Sequence, residues 1–209
     1  MTRIKICGIT NLDDAQAAVE YGADAIGFVF ALSPRHVDAG QARRISDAIP
    51  PFITRVGVFT DHDEGILQVA RVCGLDAIQL HGDQSDEFAK SLMHYRRIIR
   101  AVRVRDRRSV ISLKDYQSAH AFLLDAFSRD AAGGTGKTFD WELALVAKDF
   151  GKPLILAGGL TPDNAAEAVR QVRPYAVDVS SGVESSPGKK DHVKMKELIR
   201  NVRSVDESA

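Results

Sequence analysis

Five polar side chains suited to an acid–base site stand where apolar runs of the sequence end. They are Cys7, Arg35, His81, Asp125 and Asp178. A thiol and a carboxyl group can exchange protons with one small molecule. Alternation along a strand places Lys5 and Cys7 on one face of the first run, and Leu123 and Asp125 on one face of the sixth. If the runs form a closed barrel, Cys7 and Asp125 reach a ligand from opposite sides as base and acid.

Two later apolar runs end in small residues, a pattern typical of phosphate binding. Residues 154–157 precede Gly158 and Gly159, and residues 176–179 precede Ser180, Ser181 and Gly182. Such strand ends leave backbone N–H groups free before a helix, and those groups bind anions. One such loop is more often a tight turn, but two in consecutive strand–helix units predict a single phosphate site. Phosphate sites after strands 7 and 8 recur in (β/α)8 barrels.

The order of elements predicts an α/β fold, a single-domain (β/α)8 barrel. Eight apolar runs alternate with eight helical segments, and this strict alternation indicates a parallel sheet. Residues 22–26 and 74–78 are similar in sequence, which supports a repeated unit. An open doubly wound sheet is the alternative, but the chain has no recognisable switch point, so we expect closure. We expect one domain over residues 1–209, with residues 204–209 forming a frayed tail.

Each candidate side chain also has an explanation without function. A lone cysteine in a strand is usually a small buried hydrophobe. His81 would more often be a hydrogen-bonded structural residue than a catalyst. Asp125 could cap a following turn, and Arg35, after Ser33 and Pro34, could be a solvated loop charge. Only the arrangement in space separates these explanations.

Residues 133–138 resemble the end of a Walker A loop, but the sequence argues against a nucleotide site. The motif needs a glycine five residues before Gly136, and Ala131 stands there. We interpret residues 133–137 as a mobile lid over the site. Mg-ATP is therefore expected neither to change the reaction rate nor to raise the melting temperature.

The composition excludes several classes of partner. Lys and Arg together number 28 and equal the 28 Asp and Glu residues, so no nucleic acid or membrane surface is expected as a partner. The sequence has no run of about eighteen apolar residues and no signal-peptide pattern. The two cysteines, Cys7 and Cys73, do not make a disulfide framework. These features predict a cytoplasmic protein.

A set of short segments resembles the phosphoribosylanthranilate isomerase family. The segments are KICGIT at 5–10, GFVF at 27–30, SPR at 33–35, RVGVF at 55–59, QLHG at 79–82, LLD at 123–125, GGTGKTFDW at 133–141, GGL at 158–160, VDVSSGVE at 177–184 and PGKKD at 187–191. They span nearly the whole chain in the family's order. Two departures are minor: Gln84 stands where an acid is common, and residues 127–132 form a variable insert.

The resemblance implies an isomerase of tryptophan biosynthesis that needs no cofactor and no metal. The family's substrate is N-(5-phosphoribosyl)anthranilate, a phosphorylated sugar joined to anthranilate, and its product is 1-(2-carboxyphenylamino)-1-deoxyribulose 5-phosphate. This Amadori rearrangement would use Asp125 as the general acid that opens the furanose ring and Cys7 as the base that removes the C2′ proton. We expect a monomer or a homodimer.

The resemblance also implies a set of substrate-binding residues. Arg35 would hold the anthranilate carboxylate, while His81 and Asp178 would line the site. The phosphate would be held by Gly158, Gly159, Ser180, Ser181 and Gly182.

These roles need a thiolate and a protonated carboxyl group at neutral pH, the reverse of reference pKa values of about 8.5 and about 3.9. Lys5 is a candidate cation for lowering the pKa of Cys7, because it lies on the same strand face. The apolar run before Asp125 predicts desolvation, which raises the pKa of a carboxyl group. Otherwise the enzyme works from a minor protonation state.

Three other barrel proteins remain as alternatives. The related histidine-pathway sugar isomerase has an aspartate where Cys7 stands, and indole-glycerol-phosphate synthase is a second phosphate-binding barrel. A non-catalytic phosphosugar-binding barrel would keep the glycine loops but would have no reason to pair Cys7 with Asp125.

Overall fold

The described part of the chain consists of strands and helices in strict alternation up to the last strand of the main sheet. The computed structural model describes residues 1–62, 65–126 and 141–207. The strands are β1 Arg3–Cys7, β2 Ala25–Val29, β3 Thr54–Phe59, β4 Ala77–Leu80, β5 Arg97–Val104, β6 Ala121–Ala126, β7 Leu154–Leu156, β8 Ala176–Val179, β9 Glu184–Ser186 and β10 Lys189–Lys190. The helices are α1 Leu12–Tyr21, α2 Ala39–Ala48, α3 Ile66–Val72, α4 Asp86–Met93, α5 Arg107–Ile111, α6 Glu142–Lys148, α7 Pro162–Val172 and α8 His192–Glu207.

Strands β1 to β8 form a closed parallel barrel in sequence order. Each strand pairs with the next, and β8 returns to pair with β1 through the register Lys5 to Asp178. The predicted (β/α)8 barrel is therefore confirmed, and the open doubly wound sheet is excluded. Because all eight strands run the same way, their carboxyl ends and the loops that follow them lie at one end of the barrel.

Several helices begin at a side chain that caps their first turn. Asn11 accepts a hydrogen bond from the Asp14 N–H at 2.8 Å, Asp38 from the Gln41 N–H at 2.7 Å, and Ser85 from the Phe88 N–H at 3.2 Å. These caps satisfy donors that have no partner inside the helix. They fix where each helix starts after the loop that leaves its strand.

The barrel interior is filled by alternate residues of the strands. Its buried cluster is apolar and contains many alanines: Val56, Ala77, Ile99, Ala101, Ala121, Leu123, Ile155, Ala157 and Ala176. A second, larger apolar layer lies between the strands and the helices. The same inward alternation continues to the carboxyl ends of β1, β6 and β8, where it presents Cys7, Asp125 and Asp178.

The end of the chain differs from the prediction of a frayed tail. Helix α8 continues to Glu207, so the expectation is wrong for residues 204–207. The physical reason is a contact with the other terminus, because the backbone N–H and Oγ1 of Thr2 donate to the carboxylate of Asp206 at 2.8 and 3.1 Å. Residues 208 and 209 lie outside the described part.

The chain also contains a hairpin that the sequence did not predict. Strands β9 and β10 pair antiparallel between β8 and α8. Both are short and polar, and neither has the apolar alternation by which a strand is recognised.

The predicted lid at 133–137, the Walker-like segment and Ala131 lie outside the described residues. Within the described ranges, no helix is long and apolar enough to cross a membrane.

Candidate active site

A buried ion pair lies below the catalytic thiol candidate. Lys5 Nζ donates to Asp178 Oδ1 at 2.8 Å, and both side chains are almost fully buried. Gly27 of β2 leaves room for the cluster, because a Cβ there would lie 2.9 Å from Cys7 Sγ and 3.0 Å from Lys5 Nζ. The thiol and the ammonium group extend from the same face of β1, and the neighbouring strand β8 adds the Asp178 carboxylate. The structure thus gathers Lys5, Cys7 and Asp178 into one polar cluster inside the barrel.

The pKa of Cys7 is higher than that of an ordinary thiol, contrary to expectation. Burial raises it most; Lys5 lowers it, but Asp178 raises it again. Burial also acts against the charge of Lys5, yet attraction to Asp178 and Cys7 prevails and raises the pKa of Lys5 to about 12. Because burial disfavours the thiolate and Asp178 neutralises much of the Lys5 charge, the cluster favours a neutral thiol. A reaction that uses Cys7 as a base starts here from a minor thiolate population.

We expect Lys5→Met to shift the alkylation of Cys7 to higher pH. Iodoacetamide reacts with the thiolate, so its rate rises with pH through the pKa of the thiol. Removing Lys5 takes away the cation that lowers this pKa and leaves Asp178, which raises it. The measurement is the pH profile of Cys7 alkylation by mass spectrometry, with Arg3→Met, whose side chain is 57% exposed, as control. An unchanged or acid-shifted profile in Lys5→Met would contradict this account.

Asp125 lies beside His81 at the carboxyl end of β6. The two side chains approach to 3.3 Å between Asp125 Oδ2 and His81 Nε2, but without the geometry of a hydrogen bond. The Asp125 side chain is 28% exposed. The predicted enclosure of this carboxyl group by apolar residues is therefore not found among the described residues. This approach of His81 to the Asp125 carboxylate favours a role for His81 at the site.

Gln84 holds the loop that carries His81. This residue is fully buried, and its Oε1 accepts from the Gly82 N–H at 2.9 Å. Its amide nitrogen donates to the carbonyl oxygens of Phe59 and Asp61, at 3.2 and 3.1 Å. A carboxylate could accept the first bond but could not donate the other two. The departure at position 84 thus replaces an acid with a side chain that ties the β3 and β4 loops together.

Arg35 reaches the site over Gly8 and is held there by Glu184. Its Nε and Nη2 donate to Glu184 Oε1 and Oε2 at 2.8 and 2.7 Å. Gly8 has a φ of 73°, and a Cβ on it would lie 2.7 Å from Arg35 Cδ. Glycine at position 8 is therefore needed both for the turn and for the passage of the arginine. Arg35 is an ordered part of the site and not the solvated loop charge of the alternative explanation.

Lys190 of β10 completes this group of charges. Its ammonium group donates to Glu184 Oε1 at 2.9 Å and to the Ser180 carbonyl at 3.3 Å, and the residue is 3% exposed. Burial lowers the pKa of Lys190 and attraction to Glu184 opposes this. Burial raises the pKa of Glu184, but its bonds to Arg35 and Lys190 prevail and lower it. The carboxylate of Glu184 is thus shared by two cations.

The loops after β7 and β8 lie side by side, as the sequence predicts. Gly158 and Gly159 have φ values of 80° and 67°, and Asn164 of α7 donates to the Gly159 carbonyl at 2.9 Å. A Cβ on Gly182 would lie 1.8 Å from the Leu160 carbonyl oxygen, so glycine is required for the two loops to touch. Ser180 Oγ is buried and has no hydrogen-bond partner among the described residues. The two loops offer small residues, N–H groups and a free hydroxyl to a bound group.

The structure places the predicted residues at the carboxyl end of the barrel, in neighbouring groups. Cys7 and Asp178 lie with Lys5, Asp125 lies with His81, and Arg35 lies near Ser180. Sequence analysis did not assign roles to Gln84, Glu184 or Lys190, although all three are buried polar residues. The only signals were that Glu184 and Lys190 lie in family-like segments and that Gln84 departs from the family pattern. Within residues 1–62, 65–126 and 141–207, no group of three or more His, Cys, Asp or Glu is arranged to hold a metal ion.

The chain is similar over nearly its whole length to known proteins of one family. Residues 4–201 match the family model of N-(5'-phosphoribosyl)anthranilate isomerase. The enzyme of that name from Geobacter sulfurreducens is 54% identical over 97% of this chain and 99% of its own. The crystal structure of phosphoribosyl anthranilate isomerase from Thermotoga maritima is 48% identical, with a TM-score of 0.92 over 98% of this chain and all of that chain.

A second solved structure carries a bound ligand. It is a phosphoribosyl anthranilate isomerase in complex with reduced 1-(o-carboxyphenylamino)-1-deoxyribulose 5-phosphate. It is 45% identical to this chain, with a TM-score of 0.88, over 98% of this chain and all of its own. With a family match over nearly its whole length and relatives at about half identity, the chain belongs to the N-(5'-phosphoribosyl)anthranilate isomerase family.

Proposed function

We propose that this protein isomerises N-(5-phosphoribosyl)anthranilate to 1-(2-carboxyphenylamino)-1-deoxyribulose 5-phosphate in tryptophan biosynthesis. The carrying observation is that Cys7 on β1 and Asp125 on β6 both face inward at the same end of the closed barrel. Two strands, β7 and β8, separate β6 from β1 on one side, and the phosphate loops follow those two strands. A substrate whose phosphate occupies these loops would have its sugar between the acid and the base.

The proposed chemistry consists of proton transfers alone and needs no external electron acceptor. Asp125 donates a proton to the ring oxygen as the C1′–O bond breaks, and the nitrogen lone pair forms the C1′=N bond. Cys7 then removes the proton from C2′, and the electron pair of that C–H bond forms C1′=C2′ and neutralises the iminium nitrogen. The resulting enolamine tautomerises to the ketone. Substrate and product are isomers, so atoms and electrons balance.

The direct test is loss of anthranilate fluorescence with freshly prepared substrate. We expect turnover by the purified protein without added metal or cofactor. The product should match 1-(2-carboxyphenylamino)-1-deoxyribulose 5-phosphate in mass and in chromatography. A binding-only barrel would retain affinity for the phosphorylated ligand but show no turnover. That result would support the non-catalytic alternative.

Arg35→Lys is expected to reduce kcat/KM by a factor that corresponds to a loss of about 1–3 kcal/mol in transition-state stabilisation, the range for a charge-assisted hydrogen bond. The planar guanidinium can engage a carboxylate with two parallel N–H groups, whereas an ammonium group cannot. The measurement compares the normal substrate with an analogue that lacks the anthranilate carboxylate. For the analogue, Arg35→Lys should leave kcat/KM nearly unchanged. Equal losses with both compounds would assign Arg35 a purely structural role.

Inorganic phosphate is expected to inhibit competitively, because the β7 and β8 loops present N–H groups suited to a phosphate. Ser180→Ala should raise the inhibition constant for phosphate several-fold, since it removes the buried hydroxyl that has no protein partner. Ser185→Ala, which alters an exposed serine of β9, is the matched control. A bulky residue at Gly182 is a poor test, because it would also push the two loops apart. Lack of inhibition at roughly tens of millimolar phosphate would mean that the phosphate-binding site is not formed by these two loops.

We further propose that the protein acts in the cytoplasm as a monomer or a homodimer. A charged phosphate ester does not readily cross a bilayer, which supports the compartment. One solved relative, from Thermotoga maritima, is described as a dimeric enzyme from which monomers were generated. Sedimentation equilibrium of this protein distinguishes the two states.

A further inference from the structure

The guanidinium of Arg35 has an unused edge that matches a carboxylate. Glu184 takes the side of the group formed by Nε and Nη2, with one oxygen on each nitrogen. A guanidinium carries five N–H donors in one plane, so the edge formed by Nη1 and the second hydrogen of Nη2 stays available. No hydrogen bond from Nη1 is recorded within the described residues. One arginine can therefore hold Glu184 side-on and a ligand carboxylate end-on at the same time.

The charges of the cluster leave one positive charge unmatched. Arg35 and Lys190 contribute two cations, and Glu184 contributes one carboxylate that contacts both. Lys190 lies fully inside the protein, while the Arg35 side chain is 22% exposed. The uncompensated charge is consequently presented at the exposed edge of Arg35. A single anionic group of a ligand would balance it.

The two supporting residues are held from outside the site by the β9–β10 hairpin. The Lys190 N–H donates to Asp14 Oδ2 of α1 at 2.8 Å, and Thr10 donates through Oγ1 to the Gly188 carbonyl at 2.5 Å. A Cβ on Gly188 would approach the Pro34 carbonyl to 2.9 Å, next to Arg35 itself. The hairpin thus contacts both the loop after β1 and the loop after β2. It fixes Glu184 without any contribution from the ligand.

We propose that Glu184 and Lys190 are positioning residues that set the plane and the net charge of Arg35 for the carboxylate of the substrate's aromatic ring. The inference rests on the proposed function and adds to it the two residues that make Arg35 selective. Glu184 fixes the orientation of the guanidinium plane. Lys190 balances the charge of Glu184, so that the charge of Arg35 remains available to the ligand.

The test uses two ligands that differ only in the carboxylate. One is reduced 1-(o-carboxyphenylamino)-1-deoxyribulose 5-phosphate, and the other is its phenylamino counterpart without the carboxylate. The readout is the dissociation constant of the ligand without the carboxylate divided by that of the ligand with it, both measured by calorimetry. Lys190→Met lowers the net charge of the cluster from one to zero and is expected to reduce this ratio about 10-fold. Glu184→Asp withdraws the carboxylate by one methylene group and is expected to reduce the ratio several-fold.

The control is Lys189→Met, which removes the neighbouring, exposed lysine of β10 and should leave the ratio unchanged. A purely structural role would weaken both ligands equally and leave the ratio unaltered in Lys190→Met and Glu184→Asp, which would overturn the inference. Two different variants guard against one that fails to fold. Wild-type turnover is measured first: its absence refutes the proposed function, whereas turnover with unaltered ratios refutes only the role of Glu184 and Lys190.

Discussion

Replacing Cys7 by serine is expected to lower kcat by about 10²–10⁴-fold, the usual contribution of a general base. A serine hydroxyl ionises far less readily than a cysteine thiol, so almost none of its basic form exists at neutral pH, and the same buried position would penalise its ionisation further. Substrate affinity should change little, because the oxygen fits where the sulfur stands. The measurement is steady-state turnover together with deuterium incorporation at C2′ of the product in heavy water.

The second cysteine supplies the matched control for this change. Cys73 is also fully buried, but it lies at the end of α3, where its thiol donates to the Ala39 carbonyl at 3.3 Å. Cys73→Ser should therefore leave kcat unaltered. Cys7→Asp is expected to keep part of the rate, since a carboxylate can also accept the C2′ proton. Near-wild-type kcat in Cys7→Ser would refute the assignment of the base.

Asp125→Asn is expected to lower kcat by a similar factor of about 10²–10⁴, because an amide cannot protonate the ring oxygen. Binding of the reduced product analogue should change by no more than a few-fold, since the side chain keeps its shape and the analogue has no ring to open. The measurement pairs kcat with the dissociation constant of the analogue. Weaker binding of the analogue with an unchanged kcat would assign Asp125 a role in binding and not in catalysis.

Asp61→Asn serves as the control for the acid. Asp61 lies just after β3, and its side chain is exposed, while its carbonyl accepts from Gln84. The substitution removes one carboxylate near the same end of the barrel without touching the His81–Asp125 contact. Unchanged kcat in this variant would separate the specific role of Asp125 from a general loss of negative charge.

The eight-fold alternation of strands and helices could be predicted from the sequence because its causes are local. Apolar runs of strand length, capping residues such as Asn11 and Asp38, and glycines at turns each act within a few residues. Period-two alternation likewise indicated that Lys5 and Cys7 share a face, as do Leu123 and Asp125. Closure followed from counting eight units, and the adjacency of the β7 and β8 loops followed from closure.

The electrostatics of the site could not be predicted, because the partners are far apart in the chain. Lys5 lies two residues before Cys7 and suggested a lowered thiol pKa, but Asp178, 173 residues from Lys5, pairs with the same ammonium group. Burial of the whole cluster then decides the direction, and burial is a property of the closed barrel. Asp125 shows the converse effect, since its apolar run in sequence ends at a partly exposed strand end beside His81.

The sequence by itself thus determined the fold, and it pointed to one end of the barrel and to the types of reactive groups that we propose for the site. Tertiary structure alone decided which charges meet. The β9–β10 hairpin is too short and polar to be recognised locally, yet it brings Glu184 and Lys190 to Arg35 across 149 positions of chain between Arg35 and Glu184. Charge pairing depends on distance in space and on exclusion of water, and both are set only when the strands close and the loops pack over their ends.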